Sequence, residues 1–125
     1  MSAGRGGPRA RRAAEARRRY RRLTVRLLVD FVSAGGVRCE YATTLGAGGL
    51  FVESEEPLAA GTRLKVRFRL PGRETLHEIE GRVAWSQPAG ADARRAPGMG
   101  VEFTDAVAIA QLARELDRWE PESAG

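Results

Sequence analysis

Cysteine and histidine are almost missing from this chain: Cys39 and His77 are the sole representatives among 125 residues. A lone cysteine excludes an internal disulfide framework and suits a reducing compartment. With one histidine beside it, no cluster of zinc-ligand spacing can be assembled. His77 has no recognisable nucleophile or acid partner, so general-base chemistry is not expected of it. No run of about 18 apolar residues occurs, so no helix should span a membrane. The first residues carry arginine where a secretory leader would be apolar. These absences predict a cytoplasmic protein, and no acid, base, nucleophile and metal constellation of an enzyme is visible.

Arginine is what the chain has in excess, and it is unevenly placed. Residues 1–22 hold nine Arg and one Glu, a net charge of +8, whereas residues 23–125 carry a net −3. The body is therefore mildly acidic, and a basic arm supplies the overall +5. After Met1, residues 1–16 contain no apolar side chain larger than Ala. Such a segment cannot offset the entropy lost on ordering. Residues 1–16 are thus expected to form a disordered basic arm, and 17–120 a single domain large enough to bury a core.

From Leu23 onward the pattern has a period of two. Leu23, Val25, Leu27, Val29 and Phe31 alternate with Thr24, Arg26, Leu28 and Asp30, which predicts a strand with one strongly apolar face. The Ala34-Gly35-Gly36 turn leads into a second strand on which Val37, Cys39 and Tyr41 share a face, so Cys39 is expected in the core. A turn at Gly46–Gly49 precedes a short third strand, Leu50–Glu53. Leu64, Val66, Phe68 and Leu70 define the inner face of a fourth. Arg63, Lys65, Arg67 and Arg69 lie outside it, partly balanced by Glu78 and Glu80 of a fifth. On the fifth strand Ile79, Val83 and Trp85 are expected on one face, and Met99, Val101 and Phe103 mark a sixth.

Thr104 or Asp105 can cap a helix over about 105–119, where Ile109, Leu112, Ala113, Leu116 and Trp119 fall on one stripe and Pro121 stops it. Trp85 and Trp119 read as packing residues. The fold class predicted is all-β with a terminal helix: a small six-stranded antiparallel β-barrel, whose closure removes the edges that so much sheet would otherwise expose.

Three segments give this pattern a family likeness. Arg17-Arg18-Arg19-Tyr20-Arg21-Arg22 runs into Leu23–Val29; Thr44–Val52 contains the Gly48-Gly49 pair; Pro97-Gly98-Met99-Gly100-Val101-Glu102-Phe103 closes the sheet after Gly81–Trp85. From Arg17 to Phe103 the order resembles the PilZ domain family. The resemblance implies a barrel that binds the bacterial messenger cyclic di-GMP, needs no cofactor and relays the signal to a protein partner. The family holds its ligand with two motifs. One is a pair of arginines four apart, for which Arg18 with Arg22 fits best, Arg17 with Arg21 is an equal register and Arg22 with Arg26 a third. Guanidinium forks bind phosphate bidentately and stack on a guanine plane. The other is Asp or Asn, any residue, Ser, two of any residue, then Gly. Here those positions are Thr44, Gly46 and Gly49, so only the glycine is kept. Thr44 can accept one hydrogen bond from a guanine edge but not two in parallel, and a buried donor left without an acceptor costs about 1–3 kcal/mol.

Two other functions fit the same residues. A family member with its second motif degraded would bind no nucleotide and serve as a protein-interaction module. A basic arm on a small barrel would also bind nucleic acid through counterion release; Tyr20 could stack on a base there, although anchoring the arm to the barrel is the role expected of it first.

Overall fold

The computed structural model describes residues 22–90 and 94–119; the expected arm, and with it Arg17, Arg18 and Arg21, lies outside the described residues. Strands β1 (Leu23–Ser33), β2 (Gly36–Gly46), β3 (Gly49–Glu53), β4 (Arg63–Phe68), β5 (His77–Gln87) and β6 (Gly98–Phe103) precede helix α1 (Ala106–Arg118). They pair antiparallel in the order β1-β2-β3-β6-β5-β4 and close into a barrel. The closing seam joins Asp30, Phe31 and Val32 of β1 to Arg67, Val66 and Lys65 of β4. Closure gives every strand a neighbour on each side, although Leu23–Val29 of β1 extend beyond the three-residue seam with β4.

Alternation builds the interior as the sequence predicts on β1 and β4. Val29, Phe31 and Val66 are fully buried, and Leu27, Leu64, Phe68 and Leu70 nearly so. Leu45, Leu50, Val52, Ile79 and Met99 complete the same cluster, and α1 adds Ala108 and Leu112. Outside β4, Lys65 faces Glu80 at 3.7 Å and Arg67 faces Glu78 at 3.9 Å. Such exposed pairs contribute little stability.

The face expected for β2 is reversed. Phe31 of β1 lies opposite Arg38, Val29 opposite Glu40 and Leu27 opposite Ala42. Arg38, Glu40 and Ala42 therefore turn inward, and Val37, Cys39 and Tyr41 are exposed. Inward polar residues are tolerated because they satisfy one another near the rim. Arg38 Nη2 donates to Glu40 Oε2 (2.9 Å), Ser54 Oγ (2.8 Å) and the Glu56 carbonyl (2.9 Å). On the outer side, the Arg26 guanidinium covers Tyr41 at 4.1 Å from the ring centroid.

Asp105 caps α1: its carboxylate accepts from the backbone N–H of Val107 and Ala108, groups with no partner inside the helix. The helix is anchored further along by charge. Its Glu115 meets His77 Nε2 at 2.5 Å through Oε1 and Arg73 Nε at 3.1 Å through Oε2. His77, for which the sequence shows no acid partner, thus has one 38 positions away in Glu115. Trp119 packs against the hydrophobic core and donates from Nε1 to the Pro71 carbonyl at 3.0 Å.

Burial alone would raise the Glu115 pKa, but hydrogen bonds from His77 and Arg73 outweigh it and hold the carboxyl below its ordinary 4.5. A carboxyl depressed in the folded state stabilises above its unfolded pKa, and the gain is lost as pH falls through the folded value. The melting temperature of the wild type should therefore fall more steeply below about pH 4.5 than that of Glu115→Gln, whose other carboxyls are identical. A constant gap between the two melting curves across this range would show that Glu115 does not titrate in the interaction.

Candidate functional site

The register of β3, β6 and β5 lays their outer faces out in rows. Gly49 pairs with Glu102, which pairs with Arg82; Phe51 pairs with Gly100, which pairs with Trp85; Glu53 pairs with Gly98, which pairs with Gln87. Trp85 joins this face through a β-bulge. Between the pairs Val83↔Val101 and Trp85↔Gly100, Ala84 is extra. An extra residue reverses which way the following side chains point. Val83 is accordingly inside, whereas Trp85 is 47% exposed, not on the inner face its spacing suggests.

The indole lies across Gly100, where a Cβ would come 2.3 Å from Nε1 and 2.6 Å from Cε2. The Phe51 ring covers Gly98 in the same way, 2.4 Å from where a Cβ would stand. The two rings stack with centroids 5.4 Å apart and planes 19° apart. The side-chain-free positions of β6 are therefore the floor on which an outward-facing aromatic pair rests.

Gly49 serves a different need. A Cβ there would lie 2.2 Å from the Val101 carbonyl oxygen, so β3 can approach β6 only without a side chain. Its role is close approach rather than unusual backbone, since positive φ among the described residues occurs only at Gly36, Gly61, Gly72 and Gly90. The turn before it is tied to β6 by the Phe103 N–H, which donates to the Gly48 carbonyl at 2.9 Å.

Beside the aromatic pair opens a cavity of about 310 Å³. Gly46, Gly48 and Gly49 form one wall, Trp85, Gly100 and Glu102 another, and Arg22 reaches it from just ahead of β1. Three residues singled out from the sequence, Arg22, Gly46 and Gly49, thus line one space. Thr44 sits further back along β2, opposite Thr24 and Phe51. Its hydroxyl is buried without a hydrogen-bond partner among the described residues. Two lining side chains escaped the sequence reading. Trp85 was expected to pack inward, and Glu102 stood out only as part of a closing strand. Glu102 is half exposed and its Oε1 accepts from Arg82 Nη2 at 2.8 Å. Among the described residues, no helix is long and apolar enough to cross a membrane.

The PilZ domain profile matches residues 16–119. The chain belongs to the PilZ domain family. This is a cyclic di-GMP-binding family of regulatory, non-catalytic receptors. Among solved structures, the PilZ domain of CeSA from a cellulose-synthesizing bacterium superposes with a TM-score of 0.55 at 19% identity, covering 77% of this chain and 97% of that one. The inhibitor of motility of Bacillus subtilis (MotI/DgrA) gives 0.60 at 24% identity, covering 82% of this chain and 50% of that one. At such identities the likeness is one of fold. No curated protein matches the chain significantly.

The two kinds of glycine should respond differently to substitution. Gly49→Ala drives a methyl into the Val101 carbonyl and should lower stability by about 1–3 kcal/mol, the usual scale of overpacking. Gly100→Ala meets a ring that can swing away. It should lower the melting temperature less, yet make Trp85 more accessible to acrylamide, read in a Trp119→Phe background that leaves Trp85 as the single tryptophan. Equal stability losses with unchanged quenching would mean that the indole is not held as described.

Proposed function

We propose that this PilZ domain is a non-enzymatic cytoplasmic receptor for cyclic di-GMP that hands the binding event to a protein partner. The observation that carries this reading is the meeting of Arg22, the Gly46–Gly49 turn and the exposed Trp85 indole around one cavity. A cyclic dinucleotide offers phosphates and flat bases. Guanidinium groups bind the former bidentately, an indole face stacks on the latter, and a glycine wall lets ligand approach backbone. At about 310 Å³ the cavity is at the small end of ligand pockets, which run from about 300 to 1,000 Å³. It suits one base with its adjoining phosphate. The remainder of the ligand falls to the arm, with Arg18 four residues before Arg22 as the proposed second clamp and Arg17 with Arg21 as the other register. Ligand contact along the arm alters the surface offered to a partner, which is a sufficient switch.

Titration calorimetry with cyclic di-GMP, beside GTP and a short DNA duplex, tests this. A dissociation constant in the low micromolar range is expected for the dinucleotide. Arg22→Ala and Trp85→Ala should each weaken it at least about tenfold, equivalent to about 1.4 kcal/mol, with the melting temperature of the free protein little changed. Absence of heat at about 100 μM dinucleotide, where even a weak receptor would respond, would leave the protein-interaction module, the reading favoured by the buried hydroxyl at Thr44. Duplex binding that falls steeply with salt would instead mark the arm as a nucleic-acid contact.

A further inference from the structure

We propose that Glu102 reads the guanine edge in this cavity, filling the acceptor role that Thr44 and Gly46 leave open; the inference rests on the receptor reading above. The outer face of β6 carries Gly98, Gly100 and Glu102 in succession, so Glu102 is the first side chain beyond the glycine over which the Trp85 indole lies. Two residues along a strand span about 6.6–6.8 Å. A purine stacked on the indole therefore brings its edge toward Glu102. Thr44 lies on β2, two strands away from β6, roughly 9–10 Å at ordinary strand spacing. Its hydroxyl is buried besides. A base resting on Trp85 has Glu102 within reach and Thr44 out of it.

The chemistry of the two edges matches. Guanine presents a ring N–H and an exocyclic amine side by side, two parallel donors. An ionised carboxylate presents two oxygens with about four lone-pair sites and no donor. Arg82 occupies only one of those sites, at 2.8 Å from Oε1, and so fixes the carboxylate at the cavity mouth while leaving Oε2 and part of Oε1 available. Arg82 is here a positioning residue. Adenine offers an acceptor where guanine has the ring donor, so the same carboxylate repels it. A carboxylate also repels phosphate, which orients the ligand with its phosphates toward Arg22 and its base edge toward Glu102.

The test compares the full-length wild type and Glu102→Gln against cyclic di-GMP, its inosine analogue lacking the exocyclic amines, and cyclic di-AMP, with thermal melts alongside. The wild type should prefer cyclic di-GMP over the inosine analogue by about tenfold or more, since loss of one charged hydrogen bond is of that order. Glu102→Gln should bind cyclic di-GMP about tenfold more weakly and lose the preference, because its amide nitrogen opposes one of the two donors. A variant that keeps both affinity and preference overturns the role of Glu102 while the receptor reading stands. Equal weakening toward all three ligands would assign Glu102 a structural part only and likewise overturns it. A wild type that binds none of them overturns the receptor reading and this inference together. Should Glu102→Gln fail to fold, Glu102→Asp, which keeps the charge but draws it back, is expected to lose more affinity for cyclic di-GMP, which forfeits two bonds, than for the inosine analogue, which forfeits one; equal change for both rejects the proposal.

Discussion

The outer wall of this barrel depends on two backbones meeting with nothing between them. At one end of the β3–β6 ladder the Val101 carbonyl occupies the space of a Gly49 side chain; at the other the Val52 carbonyl does the same at Gly98. Glycine inside a strand costs roughly 0.5–1 kcal/mol relative to alanine. Here the cost is offset by what the bare ladder receives. Phe51 and Trp85 lay their rings over Gly98 and Gly100, and a stacked aromatic pair contributes about 0.5–1.5 kcal/mol beyond the area it buries. The same approach brings the Gly46–Gly49 turn against β6, which makes one wall of the cavity. Fold and site thus share a single constraint, and neither can be altered at Gly49 without the other.

Where the sequence alternates strongly and its partners alternate with it, the fold was legible. β1, β4 and the capped helix were readable because large apolar side chains recur at one spacing, and an exception such as the exposed Leu28 does not break the period. β2 was not. Val37, Cys39 and Tyr41 have the more apolar side chains, yet the face of a strand is settled by the register of its neighbour, and Phe31 opposite Arg38 turns the polar set inward. Local hydrophobicity lost to a hydrogen-bonded rim in which Arg38, Glu40 and Ser54 satisfy each other. The His77–Glu115 contact was hidden for a simpler reason: a pairing across 38 positions has no local signature.

The candidate site divides along the same line. Arg22, Gly46 and Gly49 were found through family resemblance, and the structure brings them to one cavity. Trp85 was misplaced because one extra residue, Ala84, reverses the strand after Val83, and nothing in the string Arg82-Val83-Ala84-Trp85 announces a bulge. A signal for Trp85 did exist on its partner. Glycine at alternate positions of β6, Gly98 and Gly100, leaves two gaps on one face, and large side chains from the neighbouring strands fill them.

A binding site of this kind separates affinity from selectivity. Arginine–phosphate contacts are strong but recognise any phosphate, and their salt dependence is shared with nonspecific nucleic-acid binding. Stacking on an indole is nearly as indifferent, since every base has a flat face. Neither Arg22 nor Trp85 therefore distinguishes a guanine dinucleotide from other phosphorylated bases. Discrimination needs a group placed against a base edge, where a wrong pattern leaves a donor unpaired and carries the desolvation cost in full. Among the described lining residues, Glu102 is the one carboxylate, and so the one side chain that presents acceptors alone to the paired donors of a guanine edge. Its backbone is held between Gly49 of β3 and Arg82 of β5, and Arg82 Nη2 donates to its Oε1, which sets where the carboxylate stands against a base edge.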